Sequence, residues 1–356
     1  MALVLVVAMC VVAGTVAGDE SRSPLQFDRN GRFRILQLTD LHFGEAPDKA
    51  WGPLQDVMSM QNMVALIEME RPDLVVLSGD QVTGNNINGN ATAYHGQIVR
   101  VLERHGVKWA LVFGNHDDAP LEGHVVGERF PTTTRAELMR FDRTFRGSYS
   151  QFGPSSVRGV SNYLLPIADS KGATRAVLYM LDSGGGSLDI AVDYSQVDWF
   201  ESASRRQGLQ AAPGLLFLHV PLPIVRRVWN EERWRCEGFK DDGIDVIRDD
   251  RGARSLISAI FRLQSIRGVI YGHDHGNDMC CRVKQTDFCF GRHSGYGGYG
   301  NWTRGGRVIQ LSLSDDPRTG WTGSTWIRME NGTTTGERQL PGQYALQHDN
   351  RADVSA

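Results

Sequence analysis

The chain has 356 residues, of which 41% are apolar, and a formal charge of −3. That length suits one large domain or two small ones, and the apolar share excludes a disordered chain. The slightly acidic balance supplies no basic field for a long polyanion, so specific nucleic-acid binding is not expected.

Met1 to Gly18 carries no charge and is rich in Ala, Val and Leu, and Val16-Ala17-Gly18 precedes the polar Asp19-Glu20. This reads as a secretory signal peptide. The usual basic start is missing, so an N-terminal membrane anchor is the alternative. No later stretch reaches the roughly 20 apolar residues that span a bilayer. The expected destination is the exterior, the secretory pathway or a vacuolar lumen.

Residues 33–38 read as a strand ending at Thr39-Asp40. Residues 54–70 show helical spacing, with Val57, Met60, Val64 and Ile67 on one face and Pro72 just beyond. Residues 74–77 form a short buried strand entering Ser78-Gly79-Asp80. Residues 92–105 are helical, and 109–113 form a strand entering Gly114-Asn115-His116-Asp117. Such β-α-β-α-β alternation implies a mostly parallel sheet covered by helices. Next come a short helix at 135–145, strands at 162–166 and 176–181, a Ser/Gly turn at 183–187 and a helix at 195–207. A strand at 215–218 leads to His219. A helix at 254–265 and a strand at 268–271 lead to Gly272-His273-Asp274-His275. Residues 285–329 are strand and turn, including 308–311 and 324–327. No repeat or linker breaks the chain. One domain over residues 30–330 is expected, with 335–356 a loose tail.

Cys10 lies in the leader, leaving Cys236, Cys280, Cys281 and Cys289. An even count in an exported chain suggests two disulfides. A bridge between neighbours 280 and 281 would be strained, which leaves two pairings. Cys280–Cys289 with Cys236–Cys281 is preferred, and a thiolate metal site is the rival reading. Sequons at Asn90, Asn301 and Asn331 fit secretion.

The polar patches sit at strand ends, where a sheet can hold them converged. Asp40 and His42 are two apart, so on an extended segment both point to one side and can grip one ion. Gly79 permits a sharp turn, and the two oxygens of Asp80 can bridge two ions. Asn115 is an uncharged oxygen ligand suited to an already acidic site, and His116 beside it would reach toward substrate. His219 ends a strand. His273 and His275 offer paired imidazoles, and zinc, manganese and iron accept such mixed nitrogen and oxygen sets. Each patch alone also has a plain reading as a turn, a cap or a core histidine.

Together, in this order, the patches resemble the calcineurin-like metallophosphoesterase superfamily, whose pattern is D-x-H, G-D, G-N-H-D/E, H and G-H-x-H. The likeness spans residues 33 to 315. Residues 35–42, 217–223, 272–278 and 295–300 are similar to the purple-acid-phosphatase-related branch with plant and fungal members. The resemblance implies a four-layer α/β/β/α sandwich with two mixed sheets and two metal ions at the strand ends. One ion would take Asp40, His42, Asp80 and His275. The other would take Asp80, Asn115, His219 and His273. His116 would contact the phosphate and assist the leaving oxygen. True purple acid phosphatases have D-x-G and a ligand Tyr three residues after the bridging Asp. Here those positions hold His42 and Thr83, so a colourless centre of manganese, zinc or ferrous iron is expected.

The implied reaction is in-line attack on phosphorus by a hydroxide that bridges the ions, with His116 as hydrogen-bond or proton donor. The substrate would be a small phosphate ester or a phosphoprotein. Monoester hydrolysis comes first, and phosphodiester hydrolysis of nucleotides or lipid headgroups is the alternative. A metal-binding protein without turnover is the rival from another class. Asn277 and Asp278 are placed to orient ligand imidazoles. Arg292 and Arg304 read as surface charges, with a phosphate grip as the alternative. The stretch Gly295 to Gly300 reads as a sheet-edge turn, with a pocket wall as the alternative.

Overall fold

Apolar runs that follow one another at short spacing become strands buried on both faces. The computed structural model describes residues 22–121, 133–209, 212–314 and 320–341. The leader, with Cys10, and residues 342–356 lie outside the described residues.

In chain order the strands are β1 (Leu25–Gln26), β2 (Arg32–Leu38), β3 (Leu74–Ser78), β4 (Trp109–Val112), β5 (Tyr163–Ala168), β6 (Thr174–Met180) and β7 (Gly214–Phe217). They continue as β8 (Cys236–Glu237), β9 (Ile266–Tyr271), β10 (Cys280–Val283), β11 (Thr286–Phe290), β12 (Gly305–Leu313), β13 (Trp321–Met329) and β14 (Thr334–Gln339). The helices are α1 (Gly52–Glu70), α2 (Ala91–Arg104), α3 (Arg135–Asp142), α4 (Tyr194–Arg206), α5 (Pro223–Glu231) and α6 (Arg251–Leu263).

The strands form a 6-stranded sheet, β14-β13-β12-β2-β3-β4, and an 8-stranded sheet, β1-β5-β6-β7-β9-β11-β10-β8. β2, β3 and β4 are parallel, as the β-α-β-α-β pattern requires, while β12 pairs antiparallel with β2. The second sheet is likewise mixed, with β6, β7, β9 and β11 parallel and β10 antiparallel to β11.

Side-chain alternation shows the layers. Leu178, Met180, Leu215, Phe217 and Ile270 of the 8-stranded sheet join one core with β2, β3 and helices α1 to α3. Their neighbours Val177, Tyr179, Leu216, Leu218 and Val269 face a second core with α4, α5 and α6. The order is therefore helices, sheet, sheet, helices. Burying each large side chain in these cores contributes about 1.5–3 kcal/mol.

Two elements differ from the sequence pattern. Helix α1 buries the expected face only in part: Ile67 is buried and Met60 and Val64 pack partly buried against the core, but Val57 is 44% exposed, and the fully buried face also includes Asp56, Ser59, Asn62, Met63, Leu66 and Glu70. The polar members of that face have fixed partners. Asp56 accepts from Gly44 N, Ser59 Oγ accepts from Tyr296 N, and Asn62 donates to Ser294 O. Residues 334–339 form the edge strand β14, so ordered pairing continues past residue 335. Both disulfides are cross-strand: Cys280–Cys289 joins β10 to β11, and Cys236–Cys281 joins β10 to β8. With all four thiols in these bridges, the thiolate metal site is set aside.

Candidate metal centre

The loops after β2, β3, β4, β7, β9 and β11 meet where the two sheets abut. Backbone bonds tie them together: Asp40 N donates to Gly79 O, Gly272 N to His219 O and Ser294 N to Thr39 O. Asp40, His42, Asp80 and His273 all have positive φ (56°, 49°, 52° and 78°), a conformation that L residues adopt at a cost of order 1–3 kcal/mol each. Among the described residues, half of the non-glycine residues with positive φ thus belong to one site. Two glycines are needed for close approach: a Cβ on Gly79 would lie 2.2 Å from His219 Nδ1, and one on Gly114 2.2 Å from Asp80 Oδ1.

Two groups of potential ligand atoms result, each with its atoms within 4.8 Å of one another: Asp40, His42 and His275, and Asp80, His219 and His273. The groups adjoin. His42 Nε2 is 3.8 Å from Asp80 Oδ2, His219 Nε2 is 3.0 Å from the same oxygen, and His219 Nε2 is 3.8 Å from Asp40 Oδ1. Asn115 follows β4, and its Oδ1 is buried without a hydrogen-bond partner, as is His219 Nε2.

The hydrogen-bond partners fix the tautomers. His275 Nδ1 faces the Tyr299 carbonyl at 2.8 Å and His219 Nδ1 faces the Ser78 carbonyl at 2.9 Å, so both nitrogens carry hydrogen. Thr83 gives its hydroxyl proton to Glu45, and its oxygen therefore accepts from His42 Nδ1 at 3.0 Å. The Nε2 lone pairs of His42 and His275 then face each other at 3.2 Å. Two lone pairs at that distance repel unless a cation lies between groups of this kind. The residues present thus fit a pair of metal ions.

Burial and neighbouring charges shift the groups of the site in opposite directions. Burial pushes His42 well below its usual range, against the pull of Asp80, and burial also lowers His275. Burial opposes a charge on His219 too, but the Asp80 and Asp40 carboxylates outweigh it and raise the ring to about 9. Burial disfavours the Asp80 charge, yet His219, His116 and His42 hold the carboxyl well below the usual range.

His116 belongs to neither group. It is half-buried, its backbone N donates to Asp80 Oδ1 at 2.7 Å, and its Nδ1 lies 2.8 Å from Asn85 Oδ1. Asn277 and Asp278 do not touch the imidazoles through the bonds they make. Asn277 binds the Gly243 carbonyl, while Asp278 accepts from Phe239 N and Arg292. Arg292 and Arg304 are buried rather than on the surface, and they donate to the carbonyls of Thr303, Trp302 and Gly300. Residues 295–300 are not an edge turn. Tyr299 stacks on His275 at 4.0 Å and 12°, and a Cβ on Gly298 would lie 2.6 Å from His275.

Asp117 was visible in the sequence but had no role assigned. Its buried carboxylate accepts from the backbone N–H groups of Asp80, Gln81, Val82 and Gly114, clamping the ends of β3 and β4. Burial and the Asp80 charge raise it to about 6. Arg135 similarly ties the Gly114 and Gly185 carbonyls to Asp118 and Asp182. His293, buried behind His275 at a ring distance of 3.9 Å, gave no sequence signal beyond being a lone histidine.

Comparison with known proteins agrees with this geometry. The family model for calcineurin-like phosphoesterases matches residues 33–277. A protein of Arabidopsis thaliana named probable inactive purple acid phosphatase 29 is 27% identical over 90% of this chain and 88% of its own. Among solved structures, a dimetal phosphatase from Danio rerio covers 87% of this chain and 98% of its own, with a TM-score of 0.56 and 14% identity. A purple acid phosphatase from yellow lupin (Lupinus luteus) seeds also has a TM-score of 0.56 and 14% identity, over 90% of this chain and 55% of its own. At such identities the structural likeness speaks for the fold.

Proposed function

The chain belongs to the calcineurin-like phosphoesterase family, and as a metal-dependent, phosphatase-like hydrolase of that family we propose that it hydrolyses phosphate monoesters at a dinuclear centre. In this reading Asp40, His42 and His275 hold one ion, Asn115, His219 and His273 hold the other, and Asp80 serves both. Two bound cations neutralise the anionic ester and lower the pKa of bound water, which is what makes a phosphate ester attackable near neutral pH.

The chain's own residues do the rest. Thr83, Ser78 and Tyr299 hold one proton on each of His42, His219 and His275, which leaves their Nε2 lone pairs toward the ions. Asn85 Oδ1 lies 2.8 Å from His116 Nδ1 and accepts its proton; it is the imidazolium form, with hydrogen on both nitrogens, that leaves Nε2 as a donor to the leaving oxygen. Such a donor contributes roughly 10²–10⁴ in rate.

The observation that carries the proposal is the pair of facing lone pairs on His42 and His275 beside Asp80. The relative's printed name includes the word inactive. In this chain every expected ligand residue and His116 are present, which supports turnover over a silent binding role. Diester hydrolysis remains the second reading of the same chemistry. Entry into the secretory pathway is supported by the two disulfides and by the exposure of Asn90, Asn301 and Asn331. Among the described residues no helix is long and apolar enough to cross a membrane.

The test is a panel of chromogenic phosphate monoesters and diesters with and without chelator. Chelator-sensitive monoester hydrolysis is expected. No hydrolysis of any ester by metal-reconstituted protein would leave the silent-protein reading in its place.

A further inference from the structure

The ring nitrogens facing away from the centre are not held alike. On His42, His219 and His275 that nitrogen meets an acceptor within hydrogen-bond distance, at 3.0, 2.9 and 2.8 Å. On His273, whose side chain is 14% exposed, Nε2 instead faces Asp245 Oδ2 at 3.6 Å, an ion-pair distance slightly longer than a hydrogen bond. The Asp245 side chain is 73% exposed.

The backbone under Asp245 is nonetheless fixed. Its N donates to Asp274 Oδ1 at 3.1 Å. The preceding segment runs beside residues 274–281: Asp241 N donates to Gly276 O, Phe239 N to Asp278 Oδ1 and Asn277 Nδ2 to Gly243 O. The Cys236–Cys281 bridge ties its start. Asn277 and Asp278 thereby act on the centre indirectly, by holding the segment that presents this carboxylate.

Resting on the dinuclear reading, we propose that Asp245 is a positioning residue: it accepts the Nε2 proton of His273 and leaves Nδ1 as the ligand atom for the ion shared with Asp80 and His219. A carboxylate behind a ligand imidazole fixes its tautomer and raises its basicity, and losing such a partner typically weakens metal binding about 10–100-fold. The affinity of one ion is then tuned by an exposed carboxylate, and that of the other by the Thr83 hydroxyl and the Tyr299 carbonyl.

Calorimetric titration of Mn²⁺ into the metal-stripped full chain tests this. The parent should take up two ions. Asp245→Ala, a change at an exposed position, should weaken one binding event about 10–100-fold and leave the other unchanged. Thr83→Val, behind His42, should weaken the opposite event. An Asp245→Ala titration with both events unchanged, or with both weakened together, overturns the proposal while the dinuclear reading stands. A parent that binds fewer than two ions overturns the dinuclear reading and this inference with it.

Discussion

The two sides of the metal centre use the same residue types and differ in what stands behind them. Asp40, His42 and His275 are all buried, and the two rings hydrogen-bond to the buried Thr83 hydroxyl and to the carbonyl of the half-exposed Tyr299. Asp80 and His219 are equally buried, but His273 reaches the edge and looks toward the exposed Asp245. One side is complete when the core has packed. The other is completed by a carboxylate that stands exposed, although its neighbours Ile244 and Ile247 are buried in the second core. A full set of ligands therefore does not by itself make two equal sites.

The largest expected effect erases that difference. Asp80 lies between the sides, so Asp80→Ala should abolish binding of both ions and reduce ester hydrolysis to background, as chelation should in the parent, where Mn²⁺ or Zn²⁺ restores it. If Asp80→Ala still binds one ion tightly, the sides are independent and Asp80 is not shared. Next comes His116→Ala, outside both groups: turnover should fall roughly 10²–10⁴-fold while metal content by plasma emission stays that of the parent. Loss of metal in this variant would make His116 part of a ligand group instead.

Stability should follow burial. Ile270, on the strand that leads to His273, is fully buried, and Ile270→Ala should cost about 2–5 kcal/mol in urea unfolding. Val57→Ala, on the exposed face of α1, should stay within about 0.5 kcal/mol. Equal costs would mean that the apolar stripe of α1 is covered after all.

The smallest effect concerns the closed side, where Asp56 anchors Gly44 just beyond His42. Burial raises this carboxyl to about 6 in the folded chain, above an unfolded value of about 4. The folded state then holds a proton that the unfolded state has lost, so this group makes stability fall as pH rises from about 4 to about 6. Asp56→Asn removes that slope. The variant should gain on the parent across that window in denaturant titrations at stepped pH, and parallel profiles would contradict the shift.

Much of the layout was legible because strand-end placement is written in apolar runs followed by glycine and polar letters. The loops at Asp40, Gly79-Asp80, Gly114-Asn115, His219 and Gly272-His273 all fall where those runs stop. Counting and the strain of a vicinal bridge narrowed the disulfides to two pairings, of which the preferred one is observed. The buried face of helix α1 was legible only in part, because apolar periodicity finds Met60, Val64 and Ile67 but not the polar Asp56, Ser59 and Asn62 that are turned inward to hold the site loops. Partners such as Thr83 behind His42, or Tyr299 behind His275, depend on contacts between segments far apart in the chain, which spacing along one segment does not encode. Asp245 was hidden for the same reason, since it is contacts between segments, such as its N–H to Asp274 Oδ1, that bring it to His273.

The most direct test of the dinuclear centre is a crystal of the chain grown with Mn²⁺ or Zn²⁺ and measured at the metal absorption edge. Two anomalous peaks are expected, one among Asp40, His42 and His275 and one among Asn115, His219 and His273, with Asp80 between them. A single peak, or metal bound elsewhere with these side chains uncoordinated, would contradict it.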